Sequence, residues 1–248
     1  MTDLATLTIE SRVATLTLNR ADKRNALSMD LLDALLARAD ELAKRDDVTV
    51  CVLTGAGRVF CAGMDLRAVL GEPGAPFKLL SRIAELTLKL RSLPMVTLAR
   101  VNGAAIGGGC GLVCVCDLAV THPDSKMGFP EVDLGVCPAV VAPWLVKTVG
   151  AGAARRVLLQ GGTLTGQRCF EIGLVSHCVP SEQLDSTVAE MAARLAQSGA
   201  LALRETKRLL NDLDEPALSA AVRKGAEISA RVVDGEEARR MLSKAYGS

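Results

Sequence analysis

The stretch from Val101 to Pro138, VNGAAIGGGCGLVCVCDLAVTHPDSKMGFPEVDLGVCP, decides the fold and holds a candidate site. Three consecutive glycines, Gly107 to Gly109, precede a mostly apolar run, Cys110–Cys116, that is typical of a helix. Glycine lets a ligand approach the backbone closely, and the start of a helix presents unpaired N–H groups and the positive end of its dipole. Glu131 follows in an apolar setting. These features predict a site that stabilises an oxyanion and moves a proton.

The segments before this stretch predict alternating strands and helices. Leu4–Ile9 and Val13–Leu18 alternate apolar residues with threonine, which is typical of a β-hairpin. Val48–Leu53 and Met95–Val101 are β-branched and apolar, which predicts buried strands, and Phe77–Leu93 predicts a helix between them. This order predicts an α/β fold with parallel strands, in which ligands lie at the carboxyl ends of the strands.

The C-terminal part of the chain predicts helices only. The composition changes near residue 182, so we expect a core of residues 1–182 and a helical region of residues 183–248. The predicted helices of this region are Gln183–Gln197, Ala200–Leu213, Glu215–Val232 and Gly235–Tyr246.

Composition narrows the class of partner. The chain of 248 residues has a formal net charge of +1 and is 49% apolar, with no basic block. Proteins that bind nucleic acid through its phosphates need a basic surface. One Trp, one Tyr and four Phe also leave little for base stacking. Nucleic acid is therefore not a predicted partner.

The cysteines indicate a reduced protein. Eight cysteines occur without a C-x-x-C pair and with only two histidines, so no metal site is predicted. Buried thiols behave as small apolar side chains, and we expect a cytoplasmic location. The first residues, MTDLATLTIE, lack the regions of a signal peptide, and the longest uncharged run, Val101–Cys116, is too short to cross a bilayer. No membrane association is expected.

Four motifs occur in a fixed order along the chain. They are NRADKRNALS at 19–28, TGAGRVFCAGMDL at 54–66, VNGAAIGGGC at 101–110 and GFPEVDLGVCPA at 128–139. With these motifs the chain resembles the crotonase superfamily, also called the enoyl-CoA hydratase/isomerase family, over essentially its whole length. The resemblance implies a spiral core of repeated β-β-α turns and C-terminal helices that build a homotrimer or a dimer of trimers.

The resemblance also implies an acyl-CoA substrate, as in fatty acid metabolism, and a set of site residues. Backbone N–H groups of Met64 and Gly108 are expected to hold the thioester oxygen, with Glu131 as the catalytic acid/base. No metal or redox cofactor is implied, since coenzyme A enters as part of the substrate. The implied substrate-binding residues are Lys23, Arg24, Ala26, Ala62, Asp65 and Leu66 for the CoA part, with Gly109, Gly111, Pro138 and Val140 completing the set.

The acids favour one reaction of the family. Its hydratases use two glutamates, one on the helix after G-G-G-C and one in a G-x-P-E segment. The first position is Gly111 here, and the second is Glu131. Members that resemble Δ3-Δ2-enoyl-CoA isomerases keep only the second glutamate, because one carboxyl group suffices to take a proton from C2 and return it at C4. The pattern therefore favours an isomerase.

Two alternatives stay open. The run Pro138–Pro143, PAVVAP, resembles a P-A-x-x-x-P run of hydratases for branched acyl-CoA, and Val140, Val141 and Trp144 would then shape the acyl pocket. Such a hydratase would lack one glutamate, compensated by Asp133 or by an ordered water. The third hypothesis is an acyl-CoA-binding protein without catalysis. The sequence leaves open the acyl chain length, a CoA or carrier-protein thioester, the pathway, and trimer or hexamer.

Overall fold

The computed structural model describes residues 3–66, 74–213 and 217–246 of the chain. The strands are β1 (Ala5–Glu10), β2 (Val13–Leu18), β3 (Val50–Gly55), β4 (Val96–Arg100), β5 (Ala105–Ile106), β6 (Leu118–Thr121), β7 (Lys126–Gly128), β8 (Thr163–Thr165) and β9 (His177–Cys178). The α-helices are α1 (Met29–Ala43), α2 (Ala75–Ser92), α3 (Gly108–Val115), α4 (Ala142–Gln160), α5 (Gly166–Glu171), α6 (Leu184–Gln197), α7 (Ala200–Asp212), α8 (Ala217–Val233) and α9 (Glu236–Tyr246). Short 3-10 helices lie at Ala21–Lys23, Pro130–Leu134 and Ser181–Gln183.

The strands form two sheets, and the chain alternates between them. The large sheet has the order β1-β2-β3-β4-β6-β9, and all its neighbours are parallel except the β1–β2 hairpin. The small sheet has the order β5-β7-β8. Isolated parallel bridges, Leu27 with Met64 and Cys61 with Ala105, join the earlier turns side by side. The succession β4-β5-α3, and then β6-β7, is a β-β-α spiral, which confirms the predicted α/β fold class.

The elements with a clear hydrophobic pattern form as predicted. The hairpin pairs in register from Ala5 with Leu18 to Glu10 with Val13. Helix α3 begins at Gly108, two residues before the predicted run, so the glycines themselves form its first turn. Helix α2 begins at Ala75, two residues before the predicted helix Phe77–Leu93. The small sheet was not predicted, because strands of two or three residues carry no readable periodicity.

The C-terminal helices cover the core. Val222, Ala226 and Ala230 of α8 belong to the main hydrophobic cluster. Val233 of α8, together with two residues of α9, packs on Val136. The boundary at residue 182 stays a prediction, but α8 shares its hydrophobic core with the spiral.

Two other expectations concern the environment of the protein. No helix in the described part of the chain is long and apolar enough to cross a membrane. All eight cysteines are free thiols. Six of them are buried, and Cys137 and Cys178 are half-buried. The cytoplasmic location stays a prediction.

Candidate active site

Two backbone N–H groups lie unpaired at the carboxyl ends of the spiral strands. Leu27 donates its N–H to the Gly63 carbonyl at 2.8 Å and accepts the Asp65 N–H at 3.0 Å. This parallel pairing leaves the Met64 N–H on the opposite side of its strand. Gly108 is the first residue of α3, so its N–H has no acceptor within the helix. Neither N–H has a backbone acceptor among the described residues.

The Met64 and Gly108 segments lie against each other. Gly63 has a φ of +87°, and a Cβ there would lie 2.6 Å from the Ile106 carbonyl oxygen and 3.7 Å from the Gly108 nitrogen. Only glycine allows this approach at this backbone angle. Met64 and Gly108 therefore line one pocket, with both amides available to a ligand.

A buried amide side chain holds the loop next to these amides. Asn25 is fully buried with a φ of +54°. Its Nδ2 donates to the carbonyl oxygens of Ala56, Val59 and Phe60 at 3.0, 2.8 and 3.2 Å. Its Oδ1 accepts the Arg20 N–H at 2.9 Å. These bonds tie the 20–26 loop to the 56–60 turn, which leads directly into the Met64 segment.

Glu131 lies on the 3-10 helix Pro130–Leu134 and faces the glycine turn. A Cβ at Gly107 would lie 2.7 Å from Glu131 Oε1, so the carboxyl packs directly on that glycine. The side chain is half-buried, and its Oε2 is enclosed without a hydrogen-bond partner among the described residues. Burial, with a smaller contribution from the charge of Asp133, raises the pKa of Glu131 to about 7. The carboxyl group can therefore both take and give a proton near neutral pH.

The carboxyl and the two amides share an apolar cavity of about 120 Å³. Among its described lining residues, Glu131 is the one that carries a charge. The described lining consists of Ala62, Gly63, Met64, Leu66, Leu80, Ile83, Ile106, Gly107, Gly108, Pro130, Glu131, Leu134, Val136, Cys137, Pro138, Val140, Val141 and Ser229. Such a site suits an uncharged group that acquires negative charge only during reaction.

A more polar recess adjoins this cavity. It is lined by Arg20, Asp22, Lys23, Arg24, Ala26, Ala62, Met64, Asp65 and Leu66. Ala62, Met64 and Leu66 line both spaces, so the recess and the cavity are direct neighbours. Three cations and two acids leave the recess with a net positive charge, and Lys23 and Arg24 are exposed. The recess can therefore receive the phosphate groups of a ligand whose other end enters the apolar cavity.

Two predicted substrate-binding glycines lie outside the cavity. A Cβ at Gly111 would collide with Cγ1 of Val141 and lie 3.1 Å from its Cβ. A Cβ at Gly109 would collide with the Cys61 carbonyl oxygen. Neighbouring residues cover both glycines, so neither is among the described lining residues, and their contact with a substrate stays a prediction. The space beside residue 111, where a second acid would stand, is filled by Val141.

The suggested helper, Asp133, also faces away from the cavity. The suggestion required an extended segment, but residues 130–134 form a 3-10 helix. Asp133 is exposed, and its Oδ2 accepts the Gly162 N–H at 2.8 Å. The expectation of an extended segment is wrong, and the role of Asp133 in water activation stays a prediction. Trp144, suggested for the acyl pocket, is a core residue and is not among the described lining residues.

One lining residue gave no signal in the sequence. Ser229 of α8 is almost fully buried, donates to the Cys137 carbonyl at 2.6 Å and accepts the Ala139 N–H at 3.1 Å. Ser229 therefore ties the cavity wall at Cys137 and Ala139 to α8. A small residue on an amphipathic helix does not reveal from sequence alone that it reaches a distant loop.

Comparison with known proteins decides the family. The family model described as enoyl-CoA hydratase/isomerase matches residues 8–245. The chain belongs to the enoyl-CoA hydratase/isomerase family. The resemblance to the crotonase superfamily is thereby confirmed.

Individual relatives agree with this assignment. The chain is 34% identical to the 2,3-dehydroadipyl-CoA hydratase of Escherichia coli over 214 residues, which are 86% of this chain and 84% of that protein. It is 30% identical to the short-chain-enoyl-CoA hydratase of Clostridium acetobutylicum over 82% of this chain and 78% of that one. The crystal structure of an enoyl-CoA hydratase/isomerase from Mycobacterium paratuberculosis superposes with a TM-score of 0.90 at 25% identity, covering 98% and 99% of the two chains. The protein is therefore a crotonase-type enzyme.

Proposed function

We propose that this family member is a Δ3-Δ2-enoyl-CoA isomerase. The observation that carries the proposal is that Glu131 is the one carboxyl group among the described lining residues, and that it shares the cavity with the Met64 and Gly108 amides, which have no backbone acceptor among the described residues. The place of a second acid, next to Gly111, is occupied by Val141. Moving a double bond needs one proton carrier, whereas adding water is easiest with one group to activate the water and another to manage the proton at C2.

The reaction follows from these positions. The thioester oxygen accepts hydrogen bonds from the N–H groups of Met64 and Gly108. The Glu131 carboxylate removes a proton from C2 of a 3-enoyl thioester, and the negative charge spreads over C2, C4 and the thioester oxygen. The protonated carboxyl then returns the same proton at C4, which leaves the double bond between C2 and C3. A preorganised donor to the oxyanion is worth roughly 3–4 kcal/mol of barrier.

The remaining parts of the substrate fit the adjoining spaces. The CoA phosphates lie near Lys23 and Arg24, and the acyl chain contacts Pro138 and Val140. The proton transfer uses no cofactor other than the CoA of the substrate. The protein forms a homotrimer or a dimer of trimers, supported by exposed leucines on α7 and directly after it. Leu201, Leu209, Leu210 and Leu213 are 71%, 60%, 53% and 73% exposed.

A hydratase is the second candidate, favoured by the names of the curated relatives. In that case an ordered water must supply what the absent second carboxylate does. An acyl-CoA-binding protein without catalysis is the third.

Two substrates separate these candidates. We expect the purified protein to convert 3-enoyl-CoA into 2-enoyl-CoA, followed by the ultraviolet absorbance of the conjugated thioester, and not to hydrate 2-enoyl-CoA. Glu131→Gln should lose the conversion, and Asp133→Asn, the neighbouring control, should keep it because Asp133 faces Gly162. Hydration of 2-enoyl-CoA would establish the hydratase, and binding without turnover of either would establish the third candidate.

A further inference from the structure

Two glycines at the start of α3 are each covered by a side chain that lines the cavity. Gly107 directly precedes α3, and Gly111 donates its N–H to the Gly107 carbonyl at 2.9 Å, so the two glycines lie about one helical turn apart. The Glu131 carboxyl covers Gly107, and the Val141 side chain covers Gly111. The proton carrier and Val141 are therefore separated by about one helical turn along the cavity.

Val141 is held firmly in this position. It is 3% exposed, donates its N–H to the Pro138 carbonyl at 3.2 Å and accepts the Leu145 N–H at 3.1 Å. Its β-branched side chain has little rotamer freedom. Contact with Gly111 prevents it from moving toward α3.

The wall that carries Val141 is fixed from the other side by α8. Ser229 hydrogen-bonds the backbone of Cys137 and Ala139. A Cβ at Gly225 would collide with the Ala139 carbonyl oxygen, so α8 lies directly on the wall. The wall segment is thus held between α3 and α8, which restricts the movement of Val141 away from the cavity.

We propose that Val141, seated against Gly111, closes the acyl end of the cavity and restricts the enzyme to short, unbranched, uncharged acyl chains. The inference rests on the proposed function and adds the substrate class. With the reacting carbons at Glu131, only about one helical turn of length is left before the Val141 methyl groups are reached. The described lining offers no cation for a terminal carboxylate on the acyl chain.

The test compares kcat/KM for an eight-carbon and a four-carbon 3-enoyl-CoA. Val141→Ala should raise the ratio of kcat/KM for the eight-carbon substrate to kcat/KM for the four-carbon substrate at least about tenfold. The reason is that one methylene in a tight pocket changes specificity by about tenfold or more. Gly111→Ala should lower the ratio, since the new methyl group pushes Val141 toward the substrate. In the double variant the alanine methyl at 111 enters the vacated space, and the ratio should return toward that of the wild type.

Val146→Ala is the matched control, because this valine of α4 is 42% exposed. If the ratio of the two kcat/KM values is the same in Val141→Ala as in Val146→Ala, the proposal is overturned. If the wild type isomerises neither substrate, the proposed function fails instead. Calorimetric binding of saturated four- and eight-carbon acyl-CoA to the same variants then tests the pocket alone, and an unchanged ratio of Kd values overturns the inference. Val141→Ala gives this answer even if Gly111→Ala does not fold.

Discussion

Replacing Glu131 by glutamine should abolish the isomerisation and, at alkaline pH, make the protein harder to unfold. Glutamine matches the shape of the protonated carboxyl group but cannot ionise. In the wild type, Oε2 is enclosed without a hydrogen-bond partner among the described residues, so the charged form is poorly solvated. The same burial that prepares Glu131 for proton transfer should therefore cost stability whenever the group is charged.

The magnitude follows from the pKa. Burial raises the pKa of Glu131 from 4.5 to about 7 in the folded protein. The folded state thus binds the proton more tightly than the unfolded state, and the stability of the wild type falls as pH rises between these two values. The full difference corresponds to about 3 kcal/mol above neutral pH. Below the ordinary pKa of a glutamate the cost disappears.

Urea denaturation over a series of pH values measures this effect. The free energy of unfolding of Glu131→Gln minus that of the wild type should rise by about 2.5 kcal/mol between about pH 5 and about pH 8.5. Any pH-independent cost of the amide cancels in this comparison. Protein concentration is kept constant, because assembly contributes to apparent stability.

Glu190→Gln makes the same chemical change on the exposed face of α6 and should show no such rise. A difference between Glu131→Gln and the wild type that stays constant across pH would refute the desolvation argument. Full isomerase activity of Glu131→Gln would refute the assignment of the proton carrier.

Four further predictions test other parts of the site. The kcat/KM of the isomerisation should fall as pH drops below about 7, because the Glu131 carboxylate must be ionised to take the C2 proton; a flat profile would contradict this. Ser229→Ala should cost about 1–3 kcal/mol of unfolding free energy in urea, since it removes the hydrogen-bond partner of two partly buried backbone groups. Asn25→Ala should cost more, above about 3 kcal/mol, because four hydrogen bonds are lost. Reversing the charges of Lys23 and Arg24 to glutamate should raise KM for the CoA thioester, and it should leave the KM of a pantetheine thioester without the nucleotide unchanged. Equal effects on both thioesters would mean that these cations do not contact the phosphates.

Local sequence patterns predicted much of the fold. Strands β1 to β4 and the C-terminal helices follow from alternating or continuous apolar runs of six or more residues. The glycine run and Glu131 predicted oxyanion stabilisation and proton transfer. Few other roles need a helix N-terminus without side chains beside an acid in an apolar setting. The ordered motifs then predicted the family, which the comparison confirmed.

Apolar runs and ordered motifs were therefore enough to predict the family, the spiral and the candidate acid, Glu131. The surroundings of Glu131 follow only from the packing of distant segments. It turned Asp133 toward Gly162, placed Val141 over Gly111 and brought Ser229 from α8 to the cavity wall. The physical reason is that periodicity and motifs report contacts between near neighbours in the chain. The desolvation of a carboxyl group and the volume of a pocket depend on side chains that are brought together from distant segments.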